Sequence, residues 1–171
     1  MERVSQQAGD LGARWGTDPE RATLAGFLHD VARARPPELL LQQAEAFGVP
    51  VDQVSRAFPV LLHGAVGAAE VNRAWSGIDE DLLAAVSYHS TGRWEMGQLE
   101  KIVFLADKLD PRKEGPDPAL ATLRELAYHD LDEALLHFLQ GQVRHLMQRQ
   151  GMVHPGSIEA WNRLVIGRTL G

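Results

Sequence analysis

Apolar positions along this chain recur at three- and four-residue steps almost throughout, and no stretch alternates apolar with polar residues over a strand's length. Val4, Ala8, Leu11 and Trp15 mark a first helix that Gly16 stops. Asp18-Pro19-Glu20 has the form of a helix start, with the acid as N-cap and proline at the first helical position. The helix it opens carries Leu24, Leu28 and Val31, together with His29-Asp30, until Pro36-Pro37 closes it. A short helix follows to Phe47, ended by Gly48, and Pro50 to Pro59 reads as a loop. Leu61 to Trp75 is predicted helical, and Gly64, Ala65, Gly67, Ala68 and Ala69 give it a face that a neighbouring helix can approach closely.

Gly77 ends that helix and Asp79 caps the next, Glu80 to His89, before a turn at Ser90-Thr91-Gly92-Arg93. Gln98 to Leu109 is strongly apolar and stops at Asp110-Pro111, and Asp117-Pro118 starts another helix. Asp130 caps a long helix to about Gln150 that Gly151 terminates, and Pro155-Gly156-Ser157 leads into a last one bearing Trp161 and Leu164. The pattern predicts an all-α helical bundle, with residues 1–171 as one domain.

Composition narrows the chemistry more than the fold. The 171 residues, 44% hydrophobic and 23% charged, suit a globular protein that buries about two-thirds of its unfolded surface. With no cysteine, disulfides, thiolate zinc sites and cysteine nucleophiles are excluded, so any metal must be held by nitrogen and oxygen. No signal-peptide pattern and no apolar run of about 20 residues is present, which points to a cytoplasmic protein without a membrane span. A net charge of −6 argues against nucleic-acid binding, yet leaves room for a small phosphorylated ligand, because a metal and a few local cations can dominate one pocket.

His29-Asp30, His63, His89 and Asp107 are the candidate site, each in an apolar, helix-like context. A bare His-Asp dipeptide is common by chance. Here, however, Asp107 sits inside Ile102-Val103-Phe104-Leu105-Ala106, where an unpaired carboxylate is costly to bury. Separate partners for all these groups are harder to supply than one shared divalent metal. Such a metal makes water nucleophilic at neutral pH, and a pair of metals also neutralises charge on phosphoryl oxygens during in-line attack. Imidazole and carboxylate suit iron or manganese better than magnesium. Asp30 or Asp107 would orient the attacking water and Arg33 would steady the leaving phosphate; Lys108, Arg112 and Lys113 are either further phosphate cations or a solvated helix end. Trp94 is either an adenine-stacking ring or a partly buried anchor.

His29-Asp30 with Arg33, Leu62-His63-Gly64-Ala65, Tyr88-His89-Ser90-Thr91-Gly92 and Leu105-Ala106-Asp107-Lys108-Leu109-Asp110-Pro111 together resemble the HD-domain superfamily of metal phosphohydrolases, in particular its YqeK branch. The resemblance covers nearly the whole chain and is weak only around residues 112–130. It implies an HD-domain helical bundle and symmetrical hydrolysis of diadenosine tetraphosphate to two ADP at a paired divalent metal centre, usually iron. It further implies metal ligation by His29, Asp30, His63, His89 and Asp107, with Asp30 as the bridge. Nucleotide contacts are implied at His63, His89, Ser90 with Thr91, Asp107, Arg112, Lys113, and the loop Gln150, Gly151, Met152, Val153, His154 and Pro155, the loop acting largely through its backbone. A plain helix-to-helix connection is the competing reading of that loop.

One departure stands out. The family's first ligand histidine falls four residues before the valine matching Val4, one place ahead of Met1, and this chain has no histidine before His29. The native start lies upstream, or a residue has been lost, or the site is one ligand short; the ungapped register from Val4 to Asp30 favours the upstream start. Two further readings stay open from sequence: the same metal site acting on a nucleoside monophosphate, a dNTP or an alarmone, and a catalytically weakened nucleotide-binding module. The small-residue helix faces are compatible with a homodimer without requiring one.

Overall fold

The computed structural model describes residues 2–110 and 118–169. Among these residues there are ten α-helices and no strand. They are α1 (Glu2–Trp15), α2 (Pro19–Leu28), α3 (Pro37–Phe47), α4 (Gln53–Ala57), α5 (His63–Ala74), α6 (Glu80–Tyr88), α7 (Gln98–Lys108), α8 (Pro118–His129), α9 (Leu131–Gln148) and α10 (Pro155–Thr169), with a 3₁₀ turn at Pro59–Leu62. No helix among them is long and apolar enough to cross a membrane.

The caps read from sequence form as expected. Asp18, Asp79 and Asp130 accept backbone N–H groups of the first turns of α2, α6 and α9, each at 2.9 Å. Three boundaries differ from the prediction. α2 stops at Leu28, and the chain continues through tight turns in which the N–H groups of Val31, Arg33 and Arg35 each donate to a carbonyl three residues back. Asp30 therefore lies on a turn rather than in the helix. Between Pro50 and Pro59, Asp52 caps the five-residue α4 through the N–H groups of Val54 and Ser55. At the end of α9 it is Gln150, not Gly151, that adopts the left-handed backbone, with φ 53°. The Gly151 and Gln150 N–H groups return to the carbonyls of Leu146 and Met147, which satisfies the helix end.

α7 is the central rod. Leu99, Ile102, Val103, Phe104, Leu105 and Ala106 are all buried, and the helix packs against α1, α2, α6 and α9. Its one buried acid in the first turn, Glu100, holds both the Arg93 guanidinium (2.8 and 3.1 Å) and the N–H of Gly97 (2.6 Å). This pins the turn that follows α6 to the start of α7.

Close approach of α5 to α6 depends on a missing side chain. A Cβ on Gly64 would lie 2.6 Å from the Ser87 carbonyl oxygen, 2.9 Å from that of Val86 and 3.2 Å from His89 Nδ1. Backbone oxygens cannot swing aside as a flexible side chain can. Gly64→Ala is expected to cost about 1–3 kcal/mol of stability, measured by urea unfolding, and to displace His89. An unchanged unfolding midpoint would show that the two helices part without strain.

Candidate metal centre

The five metal-ligand candidates, 78 residues apart at their extremes, meet at one point between helix ends. His29 immediately follows α2 and His89 immediately follows α6, while Asp107 is the penultimate residue of α7 and His63 opens α5 after the 3₁₀ turn. C-termini of three helices thus face this place, and the partial negative charge of helix C-termini favours a cation. His29, His63, His89 and Asp107 are only 1–4% exposed, so water does not solvate them.

A single local device aims each imidazole. His29 Nδ1 donates to the Gly26 carbonyl (2.6 Å), His63 Nδ1 to that of Val60 (2.5 Å) and His89 Nδ1 to that of Val86 (2.7 Å), always three residues upstream. With Nδ1 carrying the proton, each ring in its neutral form has a lone pair on Nε2. The three Nε2 atoms converge on Asp30: His63 lies 3.1 Å and His89 3.6 Å from its Oδ1, and His29 lies 3.3 Å from its Oδ2. His29 Nε2 is also 3.3 Å from Asp107 Oδ1.

This donor set fits a divalent cation. His63 Nε2 and His89 Nε2 are 3.0 Å apart, where two lone pairs repel unless a positive centre separates or protonates them. His29 Nε2 is buried with no well-aligned hydrogen bond among the described residues, although two carboxylates are close. One ligand atom from each of His29, Asp30 and His89 lies within 4.8 Å of the others, as a shared ion requires.

Electrostatics in the metal-free chain follow from the same contacts. Burial pushes the His29 imidazolium down, but Asp107 and Asp30 beside it outweigh that and hold it up at about 9. Burial pulls His89 down to about 4; Asp30 opposes this, and the neighbouring His63, His29 and Lys108 add to it. For Asp30, burial works against ionisation, yet hydrogen bonding to His29, His63 and His89 holds its pKa far below the usual carboxylate range. The cluster therefore stores a proton on His29 between two carboxylates while keeping His89 neutral.

The remaining candidates separate into near and distant. Ser90 follows His89, and its buried hydroxyl finds no partner among the described residues. The loop Gln150–Pro155 is brought to the turn after His89, because Ser157 Oγ donates to the Thr91 carbonyl at 2.8 Å and Gly156 packs directly on the Gly92 carbonyl. Within that loop Gln150, Gly151, Met152 and Pro155 are exposed and Val153 is half-buried. His154 is committed elsewhere: its Nε2 donates to Asp52 Oδ2 at 3.1 Å and its Nδ1 accepts from the Gly156 N–H, so the loop is clasped to α4.

Arg33 is exposed, three residues beyond Asp30. Lys108 is not a solvated helix end, since its ammonium bonds Asp107 Oδ2 at 2.9 Å. Arg112 and Lys113 lie outside the described residues. Trp94 lines, with Met96, Arg163 and Leu164, a cavity of about 410 Å³ that none of the five clustered residues borders, which separates it from the candidate centre. Glu100 and the Asp52–His154 clasp were not singled out from sequence. A buried glutamate in an otherwise apolar helix signals the first; a separation of 102 positions from Asp52 to His154 leaves no signal for the second.

The chain is similar to several known proteins. The family model described as HD domain matches residues 1–112. A Bacillus subtilis (strain 168) protein named "Bis(5'-nucleosyl)-tetraphosphatase, symmetrical" is 34% identical over 164 residues, spanning 96% of this chain and 87% of its own length. A Staphylococcus aureus protein of the same name is 30% identical, covering 94% and 82%. The solved structure of a Clostridium acetobutylicum protein, described as a "predicted HD superfamily hydrolase involved in NAD metabolism", superposes with a TM-score of 0.90 at 31% identity, over 96% of this chain and 86% of that one.

Proposed function

The chain belongs to the HD-domain family, and from that premise we propose that it cleaves diadenosine tetraphosphate symmetrically, adding one water across the central phosphoanhydride to give two ADP. It is a metal-dependent hydrolase of the symmetrical bis(5'-nucleosyl)-tetraphosphatase kind, as its relatives are named. Readings with another nucleotide as substrate, or with binding alone, draw no support from relatives of that name.

The observation that carries the reading is the division of Asp30. Its Oδ2 faces His29, beside Asp107, while its Oδ1 faces His63 and His89. A carboxylate placed between two ligand sets in this way is suited to bridge two ions, with His29, Asp30 and Asp107 holding one and Asp30, His63 and His89 the other. Iron or manganese is the cation that the nitrogen-and-oxygen set favours. Bound there, such ions lower the pKa of water toward neutrality and offset the charge that builds on phosphoryl oxygens.

The chain's own groups do the rest. The Asp30 or Asp107 carboxylate orients the attacking water, and Arg33, reaching from the turn after α2, neutralises the departing ADP phosphate. The Ser90 hydroxyl, which has no partner among the described residues, and the backbone of the loop Gln150–Pro155 hold the nucleotide. Arg112 and Lys113 remain candidates for the outer phosphates.

Incubation of the purified chain with diadenosine tetraphosphate and manganese or ferrous iron tests this, with products separated by anion exchange. ADP as sole product is expected. AMP together with ATP would place the cut at the wrong anhydride and reject the symmetrical assignment.

A further inference from the structure

Asp107 and Lys108 are neighbours on a helix, where adjacent side chains diverge and do not ordinarily meet. Here they do. The Lys108 stem folds back so that Nζ bonds Asp107 Oδ2 at 2.9 Å, leaving its side chain only 14% exposed. The ammonium also lies 4.9 Å from the centroid of Phe104, one turn earlier on α7, and 5.7 Å from that of Phe138 on α9. Those two rings pack edge to face at 5.6 Å and form a wall behind it. A cation seated against aromatic faces and a buried carboxylate is held by both contacts, whereas a free lysine at a helix end would extend into water.

The consequence falls on the other oxygen of Asp107. With Oδ2 engaged by Lys108, it is Oδ1 that faces His29 Nε2, at 3.3 Å. We propose that Lys108 is a positioning residue of the metal centre: it fixes the Asp107 carboxylate so that one oxygen alone is presented to the cation, which leaves coordination positions for water and a phosphoryl oxygen. This rests on the reading of the His29–Asp107 cluster as the metal centre. It also assigns the two acids different tasks, Asp30 offering both oxygens and Asp107 one.

Two roles for Lys108 predict opposite signs. A mere neighbouring charge repels a dication, so its removal would tighten metal binding. A positioning residue does the reverse, because outer partners of metal ligands typically govern affinity or activity by about 10–100-fold. The test is titration of the metal-stripped full chain with Mn²⁺, following the electron paramagnetic resonance signal of the free ion, with far-UV circular dichroism as the check on folding.

Lys108→Met and Lys108→Gln are each expected to bind Mn²⁺ about 10–100-fold more weakly than the parent, while Lys108→Arg, which keeps the charge and a donor, stays within about threefold. Should Lys108→Met unfold, Lys108→Gln, less apolar at the same partly exposed site, gives the same comparison. Binding as tight as the parent's, or tighter, in a folded uncharged variant overturns the positioning role and leaves the metal centre standing. Failure of the parent itself to bind Mn²⁺ overturns both.

Discussion

Asp30→Ala is expected to lower kcat/KM for diadenosine tetraphosphate by at least about 10³-fold, with the far-UV circular dichroism spectrum unchanged. Asp30 approaches the Nε2 atoms of His29, His63 and His89 to 3.3, 3.1 and 3.6 Å, so its loss divides the site into two incomplete halves. His63 and His89 then face one another at 3.0 Å with no carboxylate between them and His29. The fold has little stake in this side chain, which lies on a turn beyond α2 and is 25% exposed. Asp30→Asn separates charge from shape: it is nearly isosteric, and activity as low as that of the alanine variant is expected. Near-normal turnover in either, at saturating Mn²⁺, would falsify the assignment of Asp30 as the bridge.

Removing the metal should affect stability as strongly as it affects turnover. A ligand at 100–1,000 times its Kd stabilises the folded state by about 2.7–4.1 kcal/mol, which for a chain of this size is a melting-temperature difference of roughly 5–15 °C. Stripping with a chelator is expected to produce that fall and abolish hydrolysis, and Mn²⁺ or Fe²⁺ to restore both. The difference should also depend on pH in a definite direction. In the stripped chain His29 is held at about 9, above its ordinary 6.5. Its contribution is complete below 6.5 and is lost as pH rises through 9.

A bound cation takes the place of that proton, so the gap between loaded and stripped melting temperatures should widen from pH 6.5 to 9. His89 acts oppositely. Held down at about 4, it supports the fold above 6.5 and loses that support as pH falls through 4. Thermal melts of both forms between pH 4 and 10 measure this. A gap constant across 6.5–9 would show that His29 is not the group the cation displaces.

Much of the helical fold and of the cluster is legible in the sequence. His29-Asp30, His63, His89 and Asp107 announce themselves because polar groups in apolar helical runs must find partners, and the aspartates that cap α2, α6 and α9 declare where those helices begin. Where α2 ends was not readable. His29, Asp30, Val31 and Ala32 continue a helical pattern, and only packing, which turns Asp30 toward three rings, breaks it at Leu28. α4 was hidden because its flanking prolines suggest a loop and five residues carry too little periodicity, although Asp52 was there to cap it. In the sequence Lys108 reads as either a phosphate cation or a solvated end; its fold back onto Asp107 depends on rings at positions 104 and 138 that sequence spacing does not bring together. The left-handed residue at Gln150 defied the preference for glycine, which stands one place later.

The imidazoles of His29, His63 and His89 take their aim from peptide oxygens of their own turns, at Gly26, Val60 and Val86. Side-chain replacement cannot delete a peptide oxygen. Drift of the surrounding sequence can thus proceed far without disturbing where the rings point, so long as the spacing of three is kept and the turns survive. The vulnerable element is the length of the chain between aim and ring: a one-residue insertion or deletion there would misdirect a donor more completely than many substitutions around it.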